Sequence, residues 1–66
     1  MRHFKWVKNL PNGGTVYSDG KKIGEYGYRA YGWEFRGSDG RYSHRHLQRD
    51  LKQAVERAYH NGTTGA

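Results

Sequence analysis

The chain has 66 residues, 12 Lys and Arg against 6 Asp and Glu, a formal net charge of +6 and no cysteine. That composition excludes a disulfide-stapled scaffold and a thiolate metal centre. No apolar run approaches the ~20 residues of a membrane helix, and the opening MRHFKWVKNL lacks the apolar core of a signal peptide. A soluble cytoplasmic protein of one domain is expected, in the host cytoplasm if a phage encodes it. Its core must be thin, because about 60 residues bury only about 60% of their unfolded surface. With three Leu and one Ile, the ten Phe, Trp and Tyr residues must supply most of the buried area, at about 150–250 Å² each.

In chain order, residues 3–8 read as a strand, with Phe4 and Trp6 on one side and Lys5 on the other. Leu10 keeps the apolar parity, and Pro11-Asn12-Gly13-Gly14 breaks it. Residues 14–18 and 21–27 flank Asp19-Gly20, a preferred pair for a two-residue hairpin turn. That register sets Val16 against Ile23 on one face and Tyr17 against Lys22 on the other. Tyr26 and Tyr28 share a face, and a turn or bulge within Arg29–Gly32 is needed before the alternation resumes at Trp33-Glu34-Phe35-Arg36. A four-residue loop, Gly37-Ser38-Asp39-Gly40, then predicts Phe35 opposite Tyr42 and Arg36 opposite Arg41, with strands at 32–37 and 41–43. Leu47, Leu51, Ala54, Val55 and Ala58 form one helical stripe. A helix over about 45–60 follows, with Ser43 as N-cap and Asn61-Gly62 as its stop.

The fold class is therefore α+β: a small antiparallel β-meander of three to five strands with one C-terminal α-helix packed on one face. The domain spans residues 1–61, and 62–66 form a flexible tail. The expected core holds Trp6, Val16, Ile23, Trp33 and Phe35 from the sheet and Leu47, Leu51, Val55 and Ala58 from the helix.

One helix covers only one face of a sheet. By the same parity, the open face presents Tyr17, Lys22, Tyr26, Tyr28, Glu34, Arg36, Arg41 and Ser43. Lys and Arg neutralise phosphates and release counterions. Tyrosine rings stack on unpaired bases, and their hydroxyls bond phosphate. Tyr17, Lys22, Tyr26, Tyr28, Arg36 and Arg41 are accordingly the candidate nucleic-acid-binding residues. DNA is placed ahead of RNA as the partner. The same rings and cations also suit a protein interface.

The run Gly32-Trp33-Glu34-Phe35-Arg36, then Asp39-Gly40, then Leu47 to Ala58 resembles the sheet-plus-helix DNA-binding domains of tyrosine integrases and AP2 transcription factors. It is also similar to short proteins of actinobacterial phages that share a Gly-Trp strand, an Asp-Gly turn and an Ala-Val helix. The likeness covers about residues 14–60. It implies that the sheet enters the major groove, through Lys22, Arg36 and Arg41. The extra N-terminal strand and the acidic Glu25 and Glu34 depart from those families.

His44 and His46 share a face if extended, and with His3 or His60 they offer a nitrogen-only ligand set. Polar connection, or packing of one His beside Trp33, accounts for them more simply, so no metal and no cofactor is expected. No nucleophile elbow or phosphate loop occurs, and the glycines punctuate turns. An enzyme is not expected, and no catalytic residue is named. The expected function is a basic nucleic-acid-binding accessory or regulatory protein of a phage or mobile element. The alternative is a phage-type protein that binds and modulates a host polymerase or nuclease.

Overall fold

The computed structural model describes residues 3–64, with side chains described through residue 60. Five strands, β1 (Phe4–Leu10), β2 (Gly13–Ser18), β3 (Lys21–Arg29), β4 (Gly32–Gly37) and β5 (Tyr42–Arg45), are followed by helix α1 (Gln48–Thr64). The strands form one antiparallel sheet in the order of the chain, β1-β2-β3-β4-β5. The sheet-plus-helix α+β fold read from the sequence is the one observed.

Turn chemistry sets the register of each hairpin. Pro11-Asn12 joins β1 to β2, Leu10 facing Gly13, and an irregularity between Lys8 and Leu10 turns Leu10 outward. Asp19 and Gly20 both have positive φ, 53° and 82°, as a type I′ turn requires. The Asp19 carboxylate and amide also bond the backbone of His3, at 2.9 and 2.8 Å. Tyr17 does face Lys22, but a bulge places Gly24, not Ile23, opposite Val16. The β3–β4 turn is Ala30-Tyr31, with φ of 57° and 62°. Left-handed backbone costs a residue with a Cβ about 1–2 kcal/mol, so this turn is strained at both central positions. The β4–β5 loop holds three residues, since the Gly37 amide donates to the Arg41 carbonyl at 2.7 Å. Gly40 supplies its left-handed position, at φ 92°.

The bulge at Ile23 and these two loops correct the facing of several residues. A two-residue turn puts Tyr28 opposite Trp33 and Tyr26 opposite Phe35. Directly opposed residues share a face, so Tyr26 and Tyr28 lie on the helix side with those rings. A three-residue loop puts Arg36 opposite Tyr42 and Phe35 opposite Ser43. Arg41 and Ser43 therefore also belong to the helix side, and Tyr42 takes the open-face place expected of Arg41. A one-residue slip of register exchanges the two faces of a strand.

Val16, Tyr26, Phe35, Leu51, Val55 and Tyr59 form the buried core, flanked by Phe4, Trp6, Ile23 and Trp33. The core is aromatic, as the composition requires. Phe35 meets Tyr59 edge-on with ring centroids 5.8 Å apart, and Trp6 meets Tyr26 at 5.0 Å. Trp6 is also tied to the helix, its indole N–H donating to Glu56 at 3.0 Å. Leu47 is 42% exposed rather than buried. The helix begins after it, and Leu47 supplies only the carbonyl that accepts the Leu51 amide at 3.1 Å. The buried stripe is instead Leu51, Val55 and Tyr59, each one helical turn apart. Ser43 lies within β5 and caps nothing. The helix also runs on through Asn61-Gly62 to Thr64, since a Gly in a helix costs only about 1 kcal/mol. Of the tail expected over 62–66, residues 65 and 66 lie outside the described residues.

A clamp fixes the helix to the β4–β5 loop. The Tyr59 hydroxyl donates to Asp39 Oδ1 at 3.0 Å. The Arg41 guanidinium pairs with Asp39 Oδ2 at 3.2 Å, donates to the Ala58 carbonyl at 3.0 Å and stacks 4.5 Å over the Tyr59 ring. Burial, then the hydrogen bond to Asp39 and the charge of that carboxylate, push the Tyr59 phenol up to about 12. Its ordinary value is 10.0, so the fold favours the protonated phenol. That stabilisation is whole below pH 10 and lost as pH rises through about 12. The melting temperature is therefore expected to fall over this interval, and Tyr59→Phe to fall less steeply. Tyr26, also raised by burial, leaves a residual decline of the same sign. Parallel curves for the two proteins would contradict the clamp.

Candidate nucleic-acid interface

Removing Tyr26, Tyr28, Arg41 and Ser43 from the open face leaves Tyr17, Lys22, Glu34 and Arg36 of the expected set. Strand pairing adds Lys5, opposite Tyr17, and Tyr42 and His44, opposite Arg36 and Glu34. Arg29 joins them through its ion pair with Glu34. Lys5 was visible as the polar member of the Phe4-Lys5-Trp6 alternation. Tyr42 and His44 needed the loop length, which the residues leave open.

Glu34 organises this surface. Its side chain is only 13% exposed, pairs with Arg36 Nε at 3.3 Å and accepts from the Tyr42 hydroxyl at 3.1 Å, with Arg29 Nε 3.8 Å away. The Tyr42 phenol is raised by slight dehydration and then by its bond to Glu34 and the Glu34 charge. Glu25 pairs with Lys22 at 3.5 Å. Both carboxylates on the face are thus satisfied by neighbouring cations. The Lys22–Glu25 pair is exposed on both sides, where an ion pair contributes only about 0–1 kcal/mol, whereas Glu34 is largely buried and depends more on its cations.

His44 and the β3–β4 turn are locked together. His44 Nε2 lies 3.0 Å from the Arg29 carbonyl, which can only accept, so Nε2 carries the proton. Gly32 makes room for the ring, since a Cβ there would lie 2.8 Å from His44 Cε1. With Nε2 so engaged, His44 has one ring nitrogen left for other chemistry. Among the described residues, no group of three or more His, Cys, Asp or Glu is placed to hold a metal ion. None of their helices is long and apolar enough to cross a membrane.

Between these side chains the sheet dips. Gly13 and Gly27 face each other across β2 and β3, and a depression of about 280 Å³ opens over them, bordered by Glu25, Arg29, Glu34 and Arg36. A second concavity of about 500 Å³ lies between β5 and α1 and carries Arg45 and Arg57 against Asp50. There, Arg45 Nη1 bonds the His44 carbonyl at 2.8 Å, which blunts the sheet edge against strand pairing. Arg41, engaged in the Asp39–Tyr59 clamp, and Tyr26, buried in the core, are structural in this arrangement. Tyr28 packs edge-on against Trp33 at 5.5 Å but stays 51% exposed. No protein-family model, curated protein or solved structure matches the chain.

Proposed function

We propose that the protein is a small nucleic-acid-binding module, DNA being the first candidate, that binds through its open sheet face. One observation carries this reading. The uncovered face sets Lys5, Lys22, Arg29 and Arg36 among Tyr17, Tyr42 and His44, while its two carboxylates are already neutralised within the face. A phosphate can take the place of Glu25 beside Lys22 or add to the exposed sides of Arg29 and Arg36 while Glu34 holds them, and the rings and the glycine-floored depression can receive bases. Of the residues the resemblance to integrase and AP2 domains implicates, Lys22 and Arg36 lie on this face and Arg41 does not, and an accessory or regulatory role on a phage or mobile element is proposed with it.

Geometry argues for the mode of binding. Five strands about 4.8 Å apart make a face ~19 Å wide, broader than a major groove of about 12 Å. Laid flat, the sheet contacts phosphates or an unpaired strand and does not reach base edges along its whole width. Sequence-tolerant binding with a steep salt dependence is the consequence. With about four phosphate contacts, log affinity falls against log salt with a slope of about −3 to −4, a loss on the order of 100-fold between about 50 and 200 mM.

An amide-resolved NMR titration with short oligothymidine and with a short duplex tests this. Shifts are expected to cluster at Lys5, Tyr17, Lys22, Arg29, Arg36 and Tyr42, with Gln53 and Arg57 on α1 unmoved. Shifts confined to α1 and the Arg45–Arg57 concavity would contradict the reading. So would an absence of binding at about 50 mM salt combined with nuclease-resistant capture of a single protein.

A further inference from the structure

The β3–β4 turn is built from residues that such a turn disfavours. Ala30 and Tyr31 both adopt left-handed backbone, at φ 57° and 62°, where Asn-Gly or Asp-Gly is the usual choice. The chain itself uses Asp19-Gly20 at the corresponding turn between β2 and β3. Packing does not account for the exception, because Tyr31 is 86% exposed, the most exposed of the large hydrophobic side chains described. Strain retained without a packing return marks a position held for another purpose.

The surroundings indicate which purpose. Arg29, two residues before Tyr31, has its side chain 68% exposed beside Glu34 on the open face. The depression over Gly13 and Gly27 runs up to Tyr28 and Arg29 at the foot of the turn. His44 holds the Arg29 carbonyl and so braces the turn against the sheet. The tip therefore offers a flat, exposed ring two residues along the chain from an exposed guanidinium, at the end of a cationic face.

We infer that Tyr31 is a stacking residue for an unpaired base, on a nucleic-acid strand that leaves the open face over the β3–β4 turn with a phosphate at Arg29. This rests on the nucleic-acid reading above and adds a base contact to it. Stacking on an aromatic side chain tolerates any base and needs single-stranded substrate. A duplex, whose bases stack on each other, should gain little from Tyr31.

The test uses the double variant Ala30→Asn/Tyr31→Gly, which relaxes the turn, alongside Tyr31→Phe, with fluorescent oligothymidine and a mixed-sequence duplex as probes. The relaxed variant should melt about 5 °C higher and bind oligothymidine about tenfold more weakly. Its duplex affinity should change by less than about twofold, and Tyr31→Phe should match wild type on both probes. Unchanged oligothymidine affinity in the relaxed variant, with binding still lost in Lys22→Glu/Arg36→Glu, would overturn the inference and leave the sheet-face reading standing. An equal loss on both probes would also overturn it, because stacking distinguishes them. A wild-type protein that bound neither probe would remove both.

Discussion

Phe35→Ala is expected to unfold the protein at room temperature. Phe35 is 1% exposed. Its ring touches Tyr59 on the helix and Trp6 on β1, and it lies directly over Gly24, where a Cβ would fall 2.7 Å from two ring carbons. It thus joins β1, β3, β4 and α1 in one contact set. Removing a buried Phe costs about 3–5 kcal/mol, and a core of this size rarely supplies more than about 3–5 kcal/mol in all. The far-ultraviolet spectrum should lose its cooperative thermal transition. Trp33→Ala should be milder, because Trp33 lies at the edge of the core and is only half-buried. A Phe35→Ala protein melting within a few degrees of wild type would mean that the helix does not dock on this face.

The parts of the fold legible in the sequence are those governed by local chemistry. Asp19-Gly20 announces its turn because both residues accept positive φ, and the Tyr17–Lys22 pairing follows directly. Leu51 and Val55 announce the buried side of α1 by their spacing. What escaped was decided by loop length and by one bulge. Ala30-Tyr31 carries no turn signature, since the turn there is imposed against backbone preference. The Ser38-Asp39-Gly40 loop fits three or four residues equally well by composition. The bulge at Ile23 shifts the parity of β3 past Lys22, and the three-residue loop shifts that of β5, which is why Tyr26 and Tyr28, and Arg41, were expected among the open-face residues and Tyr42 was not. Tyr59 was missed although it continues the Leu51–Val55 spacing by one turn, because its polar hydroxyl looks like a surface feature until Asp39 is brought beside it.

The candidate site shows the same division. Tyr17, Lys22 and Arg36 lie where simple alternation puts them. Glu34 reads in sequence as an acid at odds with phosphate binding. In the fold it is the anion that holds Arg29 and Arg36 apart and oriented, and the Tyr42 hydroxyl donates to it as well. In the proposed complex, orientation of this kind lowers the entropy lost when the arginines meet phosphate.

The largest functional effect is expected from reversing two charges at the centre of this face. Lys22 and Arg36 are both more than half exposed, on neighbouring strands, and each has a single carboxylate as its ion-pair partner among the described residues. Lys22→Glu/Arg36→Glu removes two of the proposed phosphate contacts and substitutes two repulsions while leaving the core untouched. Each new carboxylate stands beside an existing one, Glu25 or Glu34, and like charges facing each other on a sheet destabilise, so the variant should melt somewhat lower than wild type and is compared with it at a temperature where both are folded. Its affinity for oligothymidine and duplex at about 50 mM salt should drop by at least ~100-fold, and the slope of log affinity against log salt should flatten by about two units. This comparison of affinity and salt slope, wild type against the double variant, tests the open-face account most directly. A folded double variant that bound as tightly as wild type, with the same slope, would contradict it.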